Sequence, residues 1–250
     1  MNISGTAAIV GVGETEYFRG SQQSVPELVL SASMEAIHDA GLQPSDIDAV
    51  IPPPGYLSTE EIAANLGIPE VTYAVEVRMG GASPTASLQS AVMALSSGIA
   101  TNVLITFGWN GYSAFRRRPD SAPIRRKGDP GPFIDVSRNF YAPYGVRSAV
   151  QWYSMYIQRY VNLYGIGPED AAEVALTCRE HAHLNDKALM GGRPMTMDDY
   201  LSSPFITEPM RKLDCCLETD CATAVVLTTA DRAKDLPHDP VLWLGGAEGH

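Results

Sequence analysis

Short, nearly continuous apolar runs alternate with helix-length periodic segments over the first 110 residues of the chain. Apolar runs bounded by turn residues predict buried strands, and they occur at Ala7–Gly13, Ile47–Ile51, Val71–Val77 and Asn102–Gly108. Strands that alternate with helices in this way predict an α/β fold with a mainly parallel sheet, covered by helices on both faces.

The segments between these strands carry helix start and stop signals. A helix predicted over Val25–Gly41 ends at its glycine, and a helix predicted over Ser58–Leu66 begins with a capping box completed by Glu61. Beyond residue 110 the pattern changes. The sequence there predicts two longer helices and two further strands, at Arg147–Leu163, Pro168–Met190, Ala222–Thr229 and Val241–Leu244.

The first predicted strand ends in Gly11-Val-Gly13, which we interpret as a glycine turn. A dinucleotide-binding fingerprint would place a third glycine where Glu16 stands. The sequence therefore does not indicate a Rossmann cofactor site.

The third strand leads through a glycine turn into an Ala- and Ser-rich helix that begins near Ser83 and ends at Gly98. Because it has so few large polar side chains, this helix is expected to be buried on most sides. Ser83 is interpreted as its N-cap, with a nucleophilic hydroxyl as the alternative. The N–H groups of Met79, Gly80 and Gly81 lie at the positive end of the helix dipole and are candidate donors to an acyl oxyanion.

The segment Gly80–Leu88 resembles the nucleophile turn of thiolases, especially of their sterol-carrier, or lipid-transfer, branch. Those enzymes read roughly Asn-Asn-Cys-Ser-Thr-Gly-Ser here, and their Cys attacks an acyl-CoA thioester. In an ungapped alignment this Cys falls on Ala82, and the Ser after it falls on Ser83. The resemblance therefore implies a thiolase scaffold that has lost its nucleophile.

Two further segments carry the same resemblance. Pro168–Ala188 is similar to the family's Asn-His-x-x-Ala-x-x-Asn-Pro-x-Ala helix, and Pro209–Ala224 is similar to its Leu-Asp-Cys … Ser-Asp-Gly-Ala-Ala-Ala stretch. Glu180 and Asp186 depart from the first motif, and Cys221 replaces a glycine of the second. With these segments the resemblance covers the whole chain.

The resemblance implies the N-terminal half of a thiolase-like αβαβα architecture with an inserted helical loop domain. It places the α/β half at residues 1–109, the loop domain at 110–215, and the last strand and helix of the half at 216–236. Residues 241–250 would begin a C-terminal half whose remainder is absent. The chain is therefore expected to be a fragment, or else a second polypeptide supplies the rest. Thiolase-like halves bury a large face against one another, which implies a homodimer.

Composition narrows the class of protein. The formal net charge of −11 argues against general nucleic-acid binding. No apolar run approaches the roughly 18 residues of a membrane span, and the start of the chain lacks the basic region of a signal peptide. The four cysteines form no CxxC pair, so neither a disulfide framework nor a metal site is expected. A reducing cytoplasm is the predicted location.

One basic segment stands out against this acidic background. Six positive charges fall within twelve residues that are also rich in Pro, Gly and Ser, which indicates a loop. Arginine forks suit phosphate oxygens, so these residues are candidate ligands for the 3′-phosphate and pyrophosphate of CoA. A solvated loop, or a docking site for an acidic partner, is the alternative. The basic residues are Arg116, Arg117, Arg118, Arg125, Arg126 and Lys127.

Tyrosine and histidine supply the remaining candidates. Tyr144 joins Gly80, Gly81 and Ala82 as residues predicted to line an oxyanion and acyl pocket, and His250 is a candidate for acid–base work. A tyrosine stripe at helical spacing is interpreted as core or as an oligomer face, with a wall for a bulky acyl group as the functional alternative. The stripe comprises Tyr153, Tyr156, Tyr160 and Tyr164, together with Ile157.

Loss of the Cys determines the predicted reaction. Ordinary thiolysis or acetyl transfer carries the acyl group on that Cys, whereas retro-aldol cleavage of a β-hydroxyacyl-CoA needs no acyl-enzyme. A base removes the hydroxyl proton, and hydrogen-bond donors hold the resulting thioester enolate. The resemblance implies this lyase reaction, because the lipid-transfer branch includes steroid side-chain aldolases that work beside a small OB-fold partner of the DUF35 class. The CoA thioester is then a substrate, and no covalently bound cofactor is expected.

Three alternatives stay open from the sequence alone. The chain could be a non-catalytic thiolase-like subunit, or it could bind sterols or lipids. It could also be an acyl-CoA acetyltransferase that uses another nucleophile.

Overall fold

The computed structural model describes residues 3–115 and 137–249 of the chain. The chain divides into two compact units. We call residues 1–129 and 219–250 the sheet unit, and residues 130–218 the helical unit.

Strands and helices alternate in the sheet unit, as the apolar pattern predicts. In chain order the described elements are β1 (Ala7–Glu14), α1 (Val25–Asp39), β2 (Ala49–Ile51), α2 (Thr59–Leu66), β3 (Tyr73–Ala74), α3 (Ser83–Ser96), β4 (Asn102–Asn110), α4 (Gly111–Phe115), α5 (Ala149–Tyr164), α6 (Pro168–His183), α7 (Met197–Ser202), β5 (Phe205–Thr207), β6 (Met210–Arg211), β7 (Asp220–Thr229), α8 (Ala230–Ala233) and β8 (Val241–Leu242). Helices α5 to α7 and strands β5 and β6 belong to the helical unit.

The sheet has six strands in the order β3-β2-β4-β7-β1-β8. Strand β2 pairs in parallel with β3 and β4, whereas β7 pairs antiparallel with both β4 and β1, and β8 pairs antiparallel with β1. The expectation of a mainly parallel sheet is therefore wrong, and the sheet is mixed. Strands β1 and β4 run in the same direction, but β7 lies between them and runs in the opposite one.

Strand β3 is much shorter than the apolar run Val71–Val77 predicted. Its partner β2 ends at Ile51, directly before three consecutive prolines that stop the strand. With so short a partner, β3 pairs only at Tyr73 and Ala74.

Helices cover both faces of the sheet, as predicted. Alternate residues of β4 point to opposite faces: Leu104 packs into one core with α1 and α2, while Val103 and Ile105 pack into a second core with α3. The chain therefore builds two apolar layers on one sheet, and α1 and α3 lie on opposite sides of it.

Gly11 and Gly13 lie inside β1 rather than in a turn after it, so that interpretation is wrong. A Cβ on Gly13 would lie 2.1 Å from the carbonyl oxygen of Ala32, and one on Gly11 would lie 2.3 Å from that of Ala36. These two glycines allow the backbone of α1 to pack directly on the strand.

Helix α1 also supplies side-chain acceptors to β1. The Val12 N–H donates to Asp39 Oδ2 at 2.9 Å, and the Glu14 N–H donates to Glu35 Oε2 at 3.2 Å. Strand β8 pairs only with Ala8 and Ile9, so the carboxylates of α1 satisfy backbone groups of β1 that lie beyond the reach of β8.

The helical unit is organised around one buried tyrosine. Tyr200 is almost fully buried and donates its hydroxyl to Asp214 Oδ1 at 2.7 Å. Arg211 stacks on Phe205 at 4.3 Å and donates to the Ser203 carbonyl. Burial, together with the Asp214 carboxylate, raises the pKa of Tyr200, so this phenol stays protonated and serves the core.

Two predictions about this unit need correction. The second long helix, α6, ends at His183 rather than at Met190, because a turn follows in which the Lys187 N–H donates to Asn185 Oδ1. The tyrosine stripe on α5 is exposed in this chain, with exposures from 51% to 69%, so its interpretation as core is wrong.

Within the described residues, no helix combines the length and the apolar character that crossing a membrane requires.

Candidate active site

The turn before α3 has the shape that the sequence predicted, but its details differ. A short 3-10 turn over Gly80–Ala82 runs straight into the helix, and Gly80 has a φ of +58°, in the left-handed region that favours glycine. Gly80, Gly81 and Ala82 are all exposed in this chain. Ala82, which falls on the thiolase Cys in the ungapped sequence alignment, is therefore exposed in this chain.

Ser83 is not the N-cap of α3, contrary to the prediction. Its backbone is already helical, with φ −51° and ψ −44°, and Ala82 occupies the cap position without a side-chain hydrogen bond. The Ser83 side chain is buried, and its hydroxyl accepts the Met79 N–H at 2.8 Å. The Ser83 side chain therefore binds a residue that precedes it in the turn, whereas an N-cap side chain binds an N–H group of the first helical turn.

That contact changes which backbone donors the turn offers. The Met79 N–H is bound to Ser83, so it is no longer a candidate donor to an acyl oxygen. Within the described part of the chain, the N–H groups of Gly80 and Gly81 meet no acceptor. The turn thus offers two backbone donors beside an inert methyl group.

Helix α3 is enclosed as predicted. Of its fourteen residues, Thr85 and Met93 alone are exposed. Ser87 satisfies its hydroxyl within the helix by donating to the Ser83 carbonyl at 2.8 Å. A rigid, enclosed helix holds the Gly80–Ala82 turn in a fixed position, as a preorganised donor site requires.

Asp220, at the start of β7, is a second feature of the sheet unit, and sequence reasoning missed it. Its carboxylate is fully buried and accepts hydrogen bonds from the Gly20, Ser21 and Ser113 N–H groups and from the Ser113 hydroxyl. Burial alone would raise its pKa, but these hydrogen bonds outweigh burial and hold the pKa of Asp220 below its usual value. The ionised carboxylate ties the loop after β1 to the segment after β4. The available signal was a lone aspartate at the start of a strand whose other residues are uncharged.

Neighbouring titratable groups are held protonated. The Tyr17 hydroxyl donates to Glu14 Oε2 at 2.7 Å, and this hydrogen bond, with burial and the Glu14 charge, raises the pKa of Tyr17 to about 12. Burial also raises the pKa of the Cys221 thiol. Neither group is a ready nucleophile at neutral pH.

The remaining predicted site residues are Tyr144, His250 and the basic residues of 116–127. Tyr144 belongs to the helical unit, at the end of the one-turn segment Ala142–Tyr144, and is 85% exposed. His250 lies outside the described residues. The proposed CoA-phosphate ligands also lie outside them: Arg116, Arg117, Arg118, Arg125, Arg126 and Lys127. Among the residues that are described, no group of three His, Cys, Asp or Glu side chains could hold a metal ion.

Comparison with curated proteins finds relatives over almost the whole chain, although no family model matches it. A steroid side-chain-cleaving aldolase from Thermomonospora curvata is 38% identical over 253 residues, covering 99% of this chain and 63% of that protein. A 17-hydroxy-3-oxo-4-pregnene-20-carboxyl-CoA lyase from Mycobacterium tuberculosis is 36% identical over 248 residues, covering 99% of this chain and 64% of that protein. The chain therefore spans less than two thirds of the length of these relatives.

Solved structures agree with this result. A structure described as an Ltp2-ChsH2(DUF35) aldolase superimposes with a TM-score of 0.85 at 35% identity, over 99% of this chain and 62% of that chain. An SCP2-thiolase-like protein from Mycobacterium smegmatis superimposes with a TM-score of 0.64 at 21% identity, over 92% of this chain and 47% of that chain. This second similarity supports the fold only. The α/β fold class implied by the sequence resemblance is thereby confirmed.

Proposed function

Because the chain belongs to the thiolase superfamily, in the branch related to sterol-carrier proteins, we propose that it is a carbon–carbon lyase acting on a bulky, steroid-type β-hydroxyacyl-CoA. The observation that carries this proposal is Ala82. Ala82 is exposed, and in the sequence alignment it falls on the Cys that carries the acyl group in thiolases. A reaction without an acyl-enzyme suits such a turn.

The proposed reaction is a retro-aldol cleavage. A base removes the proton of the β-hydroxyl group, the bond between Cα and Cβ breaks, and its electron pair moves into the thioester as an enolate. Cβ leaves as a ketone, and protonation of Cα then gives the shortened acyl-CoA. No free CoA is consumed, which distinguishes this reaction from thiolysis.

The Gly80 and Gly81 N–H groups are proposed to stabilise the thioester enolate oxygen. Backbone donors that are already in place give their largest effect where negative charge develops, and loss of one such donor costs about 10²- to 10³-fold in kcat. Ala82 adds no competing nucleophile. Tyr144 remains a candidate for the wall of the acyl pocket.

Proton transfer is assigned to His250, since an imidazole titrates near neutral pH. Ser83 is the second candidate. Its burial and its contact with Met79 favour a structural role for this hydroxyl. The arginines from Arg116 to Arg126 are proposed to bind the phosphates of CoA, with the CoA thioester as substrate.

Assembly is part of the proposal. The aldolase that superimposes on this chain is described together with a DUF35 protein, and we propose a DUF35-type OB-fold partner here, alongside a homodimer of thiolase-like chains. Four free thiols, at Cys178, Cys215, Cys216 and Cys221, are compatible with the cytoplasm, which we propose as the location.

Product analysis tests the reaction. The full protein, with any partner that copurifies, is incubated with a steroid-type β-hydroxyacyl-CoA, and ketone and acyl-CoA are quantified with and without added free CoA. We expect equimolar products that do not depend on free CoA. A β-ketoacyl-CoA is assayed in parallel, and its cleavage only with free CoA would instead indicate an acetyltransferase with another nucleophile, because thiolysis attacks a β-carbonyl. Binding without turnover would indicate a silent subunit or a lipid-binding protein.

A further inference from the structure

A small open cavity of about 180 Å³ lies in the sheet unit, between the start of β4, the turn after α1 and the segment that follows β7. A protein cavity of about 150 Å³ is enough to bind a benzene-sized molecule, so this one can accommodate a small organic ligand. Two of the lining residues are aliphatic, one is a neutral amide, and two carry opposite charges. They are Leu42, Leu236, Asn102, Arg232 and Asp235.

The wall after β7 is anchored on the end of α1. Pro237, next to the lining residue Leu236, lies against Gly41, because a Cβ on Gly41 would be 2.6 Å from the Pro237 ring. One residue further on, His238 Nε2 lies 3.2 Å from Asp39 Oδ1. These contacts hold the two walls together, so the cavity has a defined shape.

Asn102, at the start of β4, supplies a buried acceptor. It is 2% exposed, and its Nδ2 donates to the Asp46 carbonyl at 2.7 Å, which fixes the orientation of the amide. Its Oδ1 meets no donor among the described residues. Since almost all buried polar groups in folded proteins are hydrogen-bonded, we expect this oxygen to receive a donor from outside the chain.

The two charged lining residues are exposed and available to a ligand. Within the described part of the chain, Arg232 and Asp235 form no ion pair, either with one another or with other residues. The adjacent Lys234, by contrast, pairs with Asp231 at 2.7 Å. The cavity therefore presents a guanidinium and a carboxylate that are both without a partner of opposite charge.

We propose that this cavity binds a small aliphatic α-amino acid. The ligand carboxylate binds the Arg232 guanidinium, and its ammonium group donates to the Asp235 carboxylate and to Asn102 Oδ1. The aliphatic side chain packs against Leu42 and Leu236. A single ligand of this class uses all five lining residues, whereas a simple anion or cation would leave one of the two charges unpaired.

The cavity is remote from the Gly80–Ala82 turn. That turn precedes the start of α3, whereas the end of α3 leads to the start of β4, where Asn102 lies. The fourteen residues of α3, at 1.5 Å each, separate the two ends of the helix by about 20 Å. The amino acid is therefore not a substrate of the turn, and this inference does not depend on the proposed lyase reaction.

Isothermal titration calorimetry of the full protein with L-leucine tests the proposal. We expect saturable binding of one molecule per chain. Two analogues separate the contributions of the charged groups: 4-methylpentanoate lacks the ammonium group, and 3-methylbutylamine lacks the carboxylate. Each should bind about tenfold more weakly than leucine, because each loses a hydrogen bond between charged groups.

Arg232→Gln and Asp235→Asn each remove one charge at an exposed position, so both variants should fold as the parent does. Each should weaken leucine binding by about tenfold. Lys234→Gln is the matched control, because Lys234 lies between these residues in sequence but does not line the cavity. It should bind leucine as the parent does, and thermal unfolding of all three variants checks that the fold is intact.

Three results would overturn the proposal. Absence of saturable leucine binding would leave ordered water as the occupant of the cavity. Equal affinity for leucine and for either analogue would show that one charged group of the ligand makes no contact. Unchanged leucine affinity in both Arg232→Gln and Asp235→Asn would place the binding site elsewhere on the protein.

Discussion

The hydroxyl oxygen of Ser83 lies 2.8 Å from the backbone nitrogen of Met79, and this contact closes the turn that leads into α3. It decides two questions about the candidate site. It removes Met79 from the set of possible oxyanion donors, and it commits a buried hydroxyl to the backbone instead of to a substrate.

Ser83→Ala should therefore affect stability more than chemistry. The Met79 N–H would lose its acceptor, so the free energy of unfolding should fall by about 1–2 kcal/mol. Urea unfolding measures this loss, and the cleavage assay measures kcat in parallel. We expect kcat to fall by less than tenfold. Loss of cleavage with unchanged unfolding would show that Ser83 takes part in the reaction.

Ala82→Cys tests whether a thiol at this turn is enough to give thiolase chemistry. The new thiol should be accessible, because Ala82 is exposed, and iodoacetamide labelling followed by mass spectrometry would detect it. Product formation from the β-hydroxyacyl-CoA should still be independent of free CoA, since thiolysis attacks a β-carbonyl, which this substrate lacks. CoA-dependent chain shortening in this variant would contradict the proposed mechanism.

Asp220→Asn should be among the more destabilising polar substitutions in the sheet unit. An amide cannot accept all four hydrogen bonds of this buried carboxylate, so we expect a loss of about 3 kcal/mol near neutral pH. Because the folded pKa of Asp220 is lowered, its stabilisation is present above the unfolded pKa near 4 and is lost as the pH falls through the folded pKa.

The difference in stability between the parent and Asp220→Asn should thus shrink as the pH is lowered from about 5 towards 2. Denaturant unfolding at several pH values measures it. A difference that stays constant over this range would mean that the carboxylate is not ionised in the folded protein.

Gly13→Ala tests the direct packing of α1 on β1. The added Cβ would lie 2.1 Å from the Ala32 carbonyl oxygen and 2.5 Å from the Ala36 nitrogen, so strand and helix must separate. We expect a loss of about 3 kcal/mol or more. Gly192→Ala is the control, since its Cβ would meet nothing within 4 Å and should leave the melting temperature nearly unchanged.

Much of the fold could be predicted from the sequence because it follows from local patterns. Apolar runs located β1, β2 and β4, and the Ser58 and Glu61 capping box is present at the start of α2. The direction of β7 could not be predicted in this way. Its apolar residues are compatible with either direction, and the long connection between β4 and β7 allows either one.

The candidate site was harder to predict. The composition of Gly80–Ala82 identified the turn. The orientation of the Ser83 hydroxyl, however, depends on whether the backbone is already helical at Ser83, and the sequence is compatible with both conformations. Asp220 was missed because its partners, Gly20 and Ser113, are about two hundred and one hundred residues away in sequence. Tertiary hydrogen bonds of this kind leave no local pattern.

The carboxylates of α1 that bind β1 also protect the protein in another way. A strand segment with unpaired N–H groups, such as the end of β1 beyond β8, is a template on which another molecule can add a strand and begin an aggregate. Asp39 and Glu35 already occupy the Val12 and Glu14 N–H groups, so an incoming strand would have to displace two charge-assisted hydrogen bonds before it could pair there. Helix α1 thus packs against the sheet and also blocks the addition of a further strand at the end of β1.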